Sequence, residues 1–130
     1  MKPQDNAEII ENPIHTIWVD ESGILCFIAK QHPAQTVEES KQLFEDIRKI
    51  SKEEKLCWLM GITNFQIPTK AARDYGESEI QKMTKAIAFL SDSMLGKYVV
   101  NILLTLKPQP FPTKMFTDAR KAREWLKQYL

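Results

Sequence analysis

The chain has 130 residues, with 18 Lys and Arg against 17 Asp and Glu, a formal net charge of +1, and 43% hydrophobic residues. This length predicts one domain with a sizeable core, and the composition excludes disordered, collagen-like and coiled-coil proteins. Because the charge is nearly balanced, no overall field would recruit nucleic acid or an anionic membrane. The longest mostly apolar run, residues 98–106, is far shorter than the roughly 20 residues needed to span a bilayer.

Residues 1–13 are predicted to form an N-terminal extension, and residues 14–130 the folded domain. The first twelve residues are polar and acidic, which is typical of neither a secretory signal nor a basic transit peptide. Two cysteines are too few for a disulfide framework, and a reducing compartment suits them. We therefore expect a cytoplasmic protein.

The first elements along the chain are a hairpin and a helix. Residues 14–19 and 24–29 are rich in β-formers, and the residues between them, 20–23, have turn chemistry. Residues 36–39 match a capping box, with Thr as N-cap and Glu three positions later. Apolar residues at helical spacing follow, which predicts a helix that ends near Ser51.

The central region alternates between strands and helices. Residues 56–62 are a nearly unbroken apolar run, which predicts a strand buried on both faces. A helix is expected from about Lys70, and residues 78–81 match a second capping box. Residues 86–90 are a strand or the end of the preceding helix, since periodicity does not separate the two for a short apolar run.

The last third predicts two more helices and a strand. A polar break precedes a helix over residues 94–106, with Ser93 as a candidate N-cap and Pro108 as the stop. Residues 113–116 predict a short strand. A final helix follows, with Thr117 or Asp118 as its N-cap. The order β-β-α-β-α-β-α-β-α predicts a single α/β domain with helices packed on a mixed sheet.

The aromatic and basic residues are expected to play structural roles. The three tryptophans lie at strand or helix-face spacing, which predicts core packing, with Trp18 the most exposed and Trp125 buried by the final helix. The final helix also carries a basic face that is expected to be solvated, so nucleic acid is not an expected partner. That face consists of Arg120, Lys121 and Arg123.

No motif indicates catalysis, a metal or a cofactor. His15 and His32 lack metal-ligand spacing and are expected on the surface. Cys26 and Cys57 lie in predicted strands, where a buried thiol behaves as a small hydrophobe. The chain has neither a nucleophile elbow nor a phosphate-binding glycine-rich loop. We expect a protein that is not an enzyme and uses no cofactor.

Several features of the second half form a family pattern. They are the strand at 86–90, the Gly-Lys segment at 94–101, the proline-rich link at 107–112, and the closing Phe, polar cap, Ala and Trp-Leu pattern at 114–126. This pattern resembles the STAS/SpoIIAA-like group of small bacterial domains, and the Gly-Lys helix and proline-rich link resemble one subgroup of it. With the hairpin and the run at 56–62, the resemblance covers about residues 14–130.

The resemblance implies a mixed sheet with helices and a regulatory role without catalysis. Its best-understood members carry an Asp-Ser or Asp-Thr after a central strand, and a partner kinase phosphorylates that hydroxyl. The matching residues 61–65 contain Thr63 but lack the acidic residue, so the sequence leaves phosphorylation of Thr63 open. Other SpoIIAA-like domains resemble lipid-binding folds, which leaves a carrier or sensor of a small apolar or anionic ligand as the alternative function.

The candidate site lies beyond the carboxyl ends of the parallel strands, where ligands collect in open α/β sheets. The loops at 63–69 and 91–93 should meet there, beside a helix N-terminus that attracts anions. We therefore predict a surface patch that is partly apolar and partly attractive to anions. The alternative is that Phe65 folds onto the core and that Ser93 only caps a helix. The candidate residues are Thr63, Asn64, Phe65, Ile67, Arg73, Ser91, Ser93 and Lys97.

The predicted function is a non-catalytic regulatory or protein-interaction module. Its expected partner is another protein, with a small apolar or anionic ligand as the alternative and no membrane span. The sequence leaves open whether that partner is a second copy of the chain in a homodimer.

Overall fold

The computed structural model describes residues 1–93, 98 and 108–130, and these form one mixed sheet with helices on both faces. The strands are β1 (Ile9–Glu11), β2 (His15–Val19), β3 (Leu25–Ala29), β4 (Leu56–Gly61), β5 (Thr84–Leu90) and β6 (Thr113–Phe116). The helices are α1 (Val37–Ser51), α2 (Lys70–Met83) and α3 (Ala119–Leu126), and a short 3-10 helix (Lys127–Tyr129) follows α3.

The six strands lie in chain order across the sheet. Strand β2 pairs antiparallel with both β1 and β3, whereas β3, β4, β5 and β6 run parallel to one another. The carboxyl ends of four strands therefore lie along one edge of the sheet, which we call the carboxyl edge. The predicted α/β class, the mixed sheet and the hairpin are confirmed.

Local sequence chemistry determines where α1 begins. The Thr36 hydroxyl accepts a hydrogen bond from the Glu39 backbone N–H at 3.2 Å, and the Glu39 carboxylate accepts one from the Thr36 N–H at 3.0 Å. These two bonds satisfy N–H groups that a helix start otherwise leaves unpaired. The helix ends at Ser51, and the capping residue Lys52 adopts the left-handed conformation with φ 55°. Both predicted ends of this helix are confirmed.

The structure differs from the sequence prediction in two details and settles a third. The predicted N-terminal extension, residues 1–13, contains strand β1, which pairs Ile9 with Trp18. The second capping box is wrong, because α2 runs without interruption past Ser78, whose hydroxyl donates to the Tyr75 carbonyl at 3.2 Å. The ambiguous run at 86–90 is strand β5. The helix predicted over 94–106 lies outside the described residues, apart from the helical Tyr98.

The two faces of the sheet are covered by different helices. Successive residues of β4 point to opposite faces, and the Trp58 indole donates to the Met83 carbonyl at the end of α2, at 3.3 Å. The neighbouring Cys57 thiol lies 3.9 Å from the Leu126 carbonyl of α3. Helices α1 and α2, which pack together, thus cover one face, and α3 covers the other. Small buried residues let α3 lie close to the sheet: Cys26, Cys57, Ala86, Ala88 and Ala122.

The tryptophans are not buried as the sequence predicted. Trp18 is 0% exposed, and it is therefore not the most exposed of the three. Trp58 is buried as expected, whereas Trp125 is only half-buried. Within the described ranges, no helix is long and apolar enough to cross a bilayer.

Candidate functional site

The loops that follow β4 and β5 are neighbours at the carboxyl edge. The Ile62 N–H donates to the Leu90 carbonyl at 2.9 Å, so the two strand ends stay paired to the edge. Just beyond, the Thr63 hydroxyl donates to the Asp92 carboxylate at 3.1 Å. The expected meeting of the two loops is observed, and a side-chain hydrogen bond joins them into one surface.

The apolar part of this surface is smaller than predicted. The Phe65 N–H donates to the Ile62 carbonyl at 3.0 Å, and this turn brings the half-buried Phe65 ring against the core. Ile67 remains 40% exposed, beside the exposed Asn64. Phe65 therefore contributes mainly to packing, and Ile67 is the apolar side chain that this loop presents to solvent.

Arg73 is held on its own loop. It lies in the first turn of α2, and its guanidinium donates to the Pro68 carbonyl at 2.6 Å. The Thr69 hydroxyl caps this helix, and the Thr69 N–H donates to the Gln35 carbonyl at 3.0 Å, which joins the loop to the segment before α1. The Arg73 side chain thus helps to fix the shape of the loop after β4.

The two candidate serines form a local turn. Ser91 is 1% exposed, and its hydroxyl accepts a hydrogen bond from the Ser93 N–H at 3.2 Å. Its N–H donates to the Phe116 carbonyl at 3.1 Å, next to the end of β6. Ser91 therefore supports the loop from below, while Ser93 is half-buried. Lys97 lies outside the described residues.

A small cavity lies at the same edge, beside Phe65. Its volume is about 20 Å³, which is room for about one water molecule. A larger open hollow of about 380 Å³ lies at the opposite edge of the sheet. Val19, Ile50 and Leu56 line it together with Glu8 and Glu54. Sequence reasoning missed this hollow, because the elements that surround it are far apart in the chain.

His15 is a buried residue that the sequence predicted on the surface. It is 1% exposed and packs 5.4 Å from the Phe27 ring. Burial lowers its pKa from 6.5 to about 4. The Asn12 side chain donates to the His15 Nδ1 at 3.2 Å, and its carbonyl accepts from the His15 N–H at 3.0 Å. The Asn three residues before a strand histidine is the only sequence signal for this arrangement.

The two cysteines are buried, as predicted, and one lies beside an ion pair. The Cys26 thiol lies 3.9 Å from the Asp20 carboxylate and 3.8 Å from the Arg123 guanidinium, and these two groups form a salt bridge. Burial raises the pKa of Cys26 to about 12 and also raises the pKa of Cys57. The prediction that the basic face of the last helix is solvated is thus wrong for Arg123. Among the described residues, no group of three His, Cys, Asp or Glu is placed to hold a metal ion.

A family model described as "Domain of unknown function (DUF7793)" matches residues 17–130, so the chain belongs to this family. No curated protein matches the chain.

Among solved structures, the chain is similar to an uncharacterised protein of the DUF3478 family with a SpoIIAA-like fold, from Shewanella loihica PV-4. The two are 21% identical with a TM-score of 0.57, over 92% of this chain and 91% of that one. This likeness confirms the SpoIIAA-like fold. A protein of unknown function from Arthrobacter sp. FB24 is 22% identical over 93% and 98% of the two chains, with a TM-score of only 0.34.

Proposed function

We propose that this member of the DUF7793 family is a non-catalytic regulatory or protein-interaction module. Its partner is another protein, which binds at the carboxyl edge to the surface formed by Thr63, Ile67 and Asp92. The observation that carries this proposal is the 3.1 Å hydrogen bond between Thr63 and Asp92, which joins two loops into one surface. Exposed Ile67 gives that surface an apolar contact point.

The shape of the carboxyl edge favours a protein over a small ligand there. Ligand sites are usually concave, with volumes of roughly 300–1,000 Å³, whereas the cavity beside Phe65 has a volume of only about 20 Å³. A surface with one exposed aliphatic side chain among polar groups resembles the mixed composition of a transient protein interface.

The two cysteines support the non-catalytic part of the proposal. A catalytic thiol needs a lowered pKa and access to substrate, but burial raises the pKa of both Cys26 and Cys57, and both side chains are 0% exposed. They stay protonated at neutral pH. Both are also free thiols, which is usual in reducing compartments, so we propose a cytoplasmic location.

The test places a photo-crosslinking amino acid at Ile67 and, as a matched control, at Ile9. These two side chains are 40% and 43% exposed but lie on different elements. We expect a protein that crosslinks from position 67 and not from position 9. Ile67→Gln should then weaken binding of that purified protein by about tenfold or more, whereas Ile9→Gln should not. The same crosslinks from both positions, or none from position 67, would overturn the proposal.

A carrier or sensor of a small ligand is the second candidate function, and the hollow at the opposite edge favours it. Its volume of about 380 Å³ lies within the range of ligand sites, and its lining combines Val19, Ile50 and Leu56 with two carboxylates. Native mass spectrometry of the protein from its own cells tests this candidate. A bound small molecule that disappears in the hollow-filling variant Val19→Phe would support it, and a ligand-free protein would contradict it.

A further inference from the structure

Three half-buried aromatic side chains form a continuous row on the face of the sheet that α3 covers. Phe116 of β6 lies 5.7 Å from Trp125 of α3 between ring centroids, and Trp125 lies 5.1 Å from Tyr129. Each ring packs against the core on one side and keeps part of its surface in solvent. We call these three residues the aromatic row.

Two lysines without salt-bridge partners among the described residues lie beside this row. The Lys114 ammonium lies 5.5 Å from the centre of the Phe116 ring. Lys121 lies one helical turn before Trp125, on the same side of α3. Lys114, Arg120 and Lys121 are exposed, and none forms a salt bridge within the described part of the chain.

Neither of the two nearby acidic groups forms a salt bridge with Lys114, Arg120 or Lys121 in the described structure. The Asp118 carboxylate accepts a hydrogen bond from the Arg120 N–H at 2.8 Å as the helix cap, and Glu124 forms a salt bridge with Lys127 at 3.1 Å. Asp118 keeps its negative charge, but Lys114, Arg120 and Lys121 outnumber it, so this part of the described surface has a net positive charge. Its complement is a negatively charged group attached to an apolar one.

We propose that the aromatic row, with Lys114 and Lys121, binds an acidic peptide segment of a partner protein that carries an aromatic residue. Trp and Tyr in half-open positions are typical of the residues that dominate binding energy at protein interfaces. The two lysines attract the partner's carboxylates and speed association. An aromatic side chain of the partner adds to the row by the same tilted packing that its members already show.

The ring geometry favours a peptide over a nucleic acid. Single-stranded nucleic acids bind where bases stack on flat, open aromatic faces along a cationic groove. Here the ring planes of Phe116 and Trp125 lie at 50° and those of Trp125 and Tyr129 at 64°, so each ring covers part of its neighbour's face. This surface lies on β6 and α3 and does not include Ile67. An experiment that disproves binding here would therefore leave the proposed function at Ile67 untouched, and the reverse also holds.

The test uses the full chain and a synthetic copolymer of Glu and Tyr, with poly-Glu as the probe without aromatic groups. Because Trp18 and Trp58 are 0% and 2% exposed, acrylamide quenching of tryptophan fluorescence reports mainly on Trp125. We expect the copolymer to protect Trp125 from quenching, to bind more tightly than poly-Glu, and to bind more weakly as salt rises. Trp125→Phe should remove the quenchable fluorescence.

Charge reversal provides the matched control. Lys114→Glu with Lys121→Glu should weaken binding of the copolymer by about tenfold or more without changing the melting temperature. Lys49→Glu with Lys55→Glu reverses two other exposed lysines and should have little effect. Equal binding by both double variants, or no protection of Trp125, would overturn the proposal. Tighter binding of oligo-dT than of the copolymer would also overturn it, as would protection by self-association of the protein alone.

Discussion

Arg123 in the last helix donates a hydrogen bond to Asp20 in the turn between β2 and β3, 103 residues earlier in the sequence. The same carboxylate accepts hydrogen bonds from the Ser22 N–H at 2.9 Å and the Ile24 N–H at 3.0 Å. One buried acidic group therefore shapes the turn between β2 and β3 and also anchors α3 across the sheet. Since α3 carries Trp125, this contact helps to position the aromatic row.

The first prediction concerns this ion pair. Arg123→Ala should destabilise the fold by about 1–3 kcal/mol, because the largely buried Asp20 carboxylate then loses the positive charge that offsets the cost of its burial. The Asp20 side chain is 8% exposed. Urea unfolding measures the loss, and a double-mutant cycle with Asp20→Asn isolates the pairwise part.

The exposed pair between Lys127 and Glu124 is the matched control. Both side chains are mostly in solvent, at 65% and 74% exposure. Lys127→Ala should change stability by less than about 0.5 kcal/mol. Equal effects of the two alanine variants would show that the Asp20 contact has no special role.

The sequence predicted well the features that depend on neighbouring residues. The capping box at Thr36 and the turn after Val19 need only short-range chemistry, and the structure has both. The meeting of the loops that hold Thr63 and Asp92 followed from parallel strand order alone. Local pattern and simple topology thus predicted the fold and the location of the candidate surface.

Burial depth was predicted less well, because it depends on contacts between distant parts of the chain. Trp18 is fully buried partly because β1, a strand of three residues with no alternating pattern, pairs alongside it. Trp125 has an apolar helix position, yet it lies at the margin of the sheet beside β6. Ser91 is likewise buried, and its N–H bonds to the Phe116 carbonyl, a long-range pairing that no local pattern indicates.

The second prediction compares two tryptophans. Trp58→Ala should destabilise by about 3–5 kcal/mol, because Trp58 is 2% exposed and fills the core. Trp125→Ala should cost about half as much, since its ring already contacts solvent in the folded protein. Chemical denaturation of both variants provides the comparison. A larger loss for Trp125 would place it in the core after all.

The third prediction concerns thiol chemistry. Cys26 and Cys57 are 0% exposed and have raised pKa values, so an aromatic disulfide reagent should not label them in the native protein at neutral pH. Labelling should proceed only through opening of the fold, and its rate should rise steeply with added urea. The Cys57→Ser variant assigns the remaining signal to Cys26. Rapid labelling in buffer would contradict the burial of both thiols.

The last prediction is a pH dependence of stability that originates at His15. The pKa of His15 is lowered from 6.5 to about 4, mainly by burial and in smaller part by nearby Lys30, whereas the Asp46 and Glu39 carboxylates act in the opposite direction. Between these two pH values the unfolded chain binds a proton that the folded chain does not. Stability therefore rises with pH across this window.

Acidification from pH 6.5 to about 4 should thus cost about 3 kcal/mol of unfolding free energy through this one residue, and the loss from it should level off below pH 4. His15→Phe should flatten that part of the curve, because the ring beside Phe27 is kept and the titrating nitrogen is removed. His32→Gln should retain the pH dependence, since it leaves His15 unchanged. Urea unfolding at half-unit pH intervals tests this difference, and an unaltered slope in His15→Phe would assign the pH dependence to other groups.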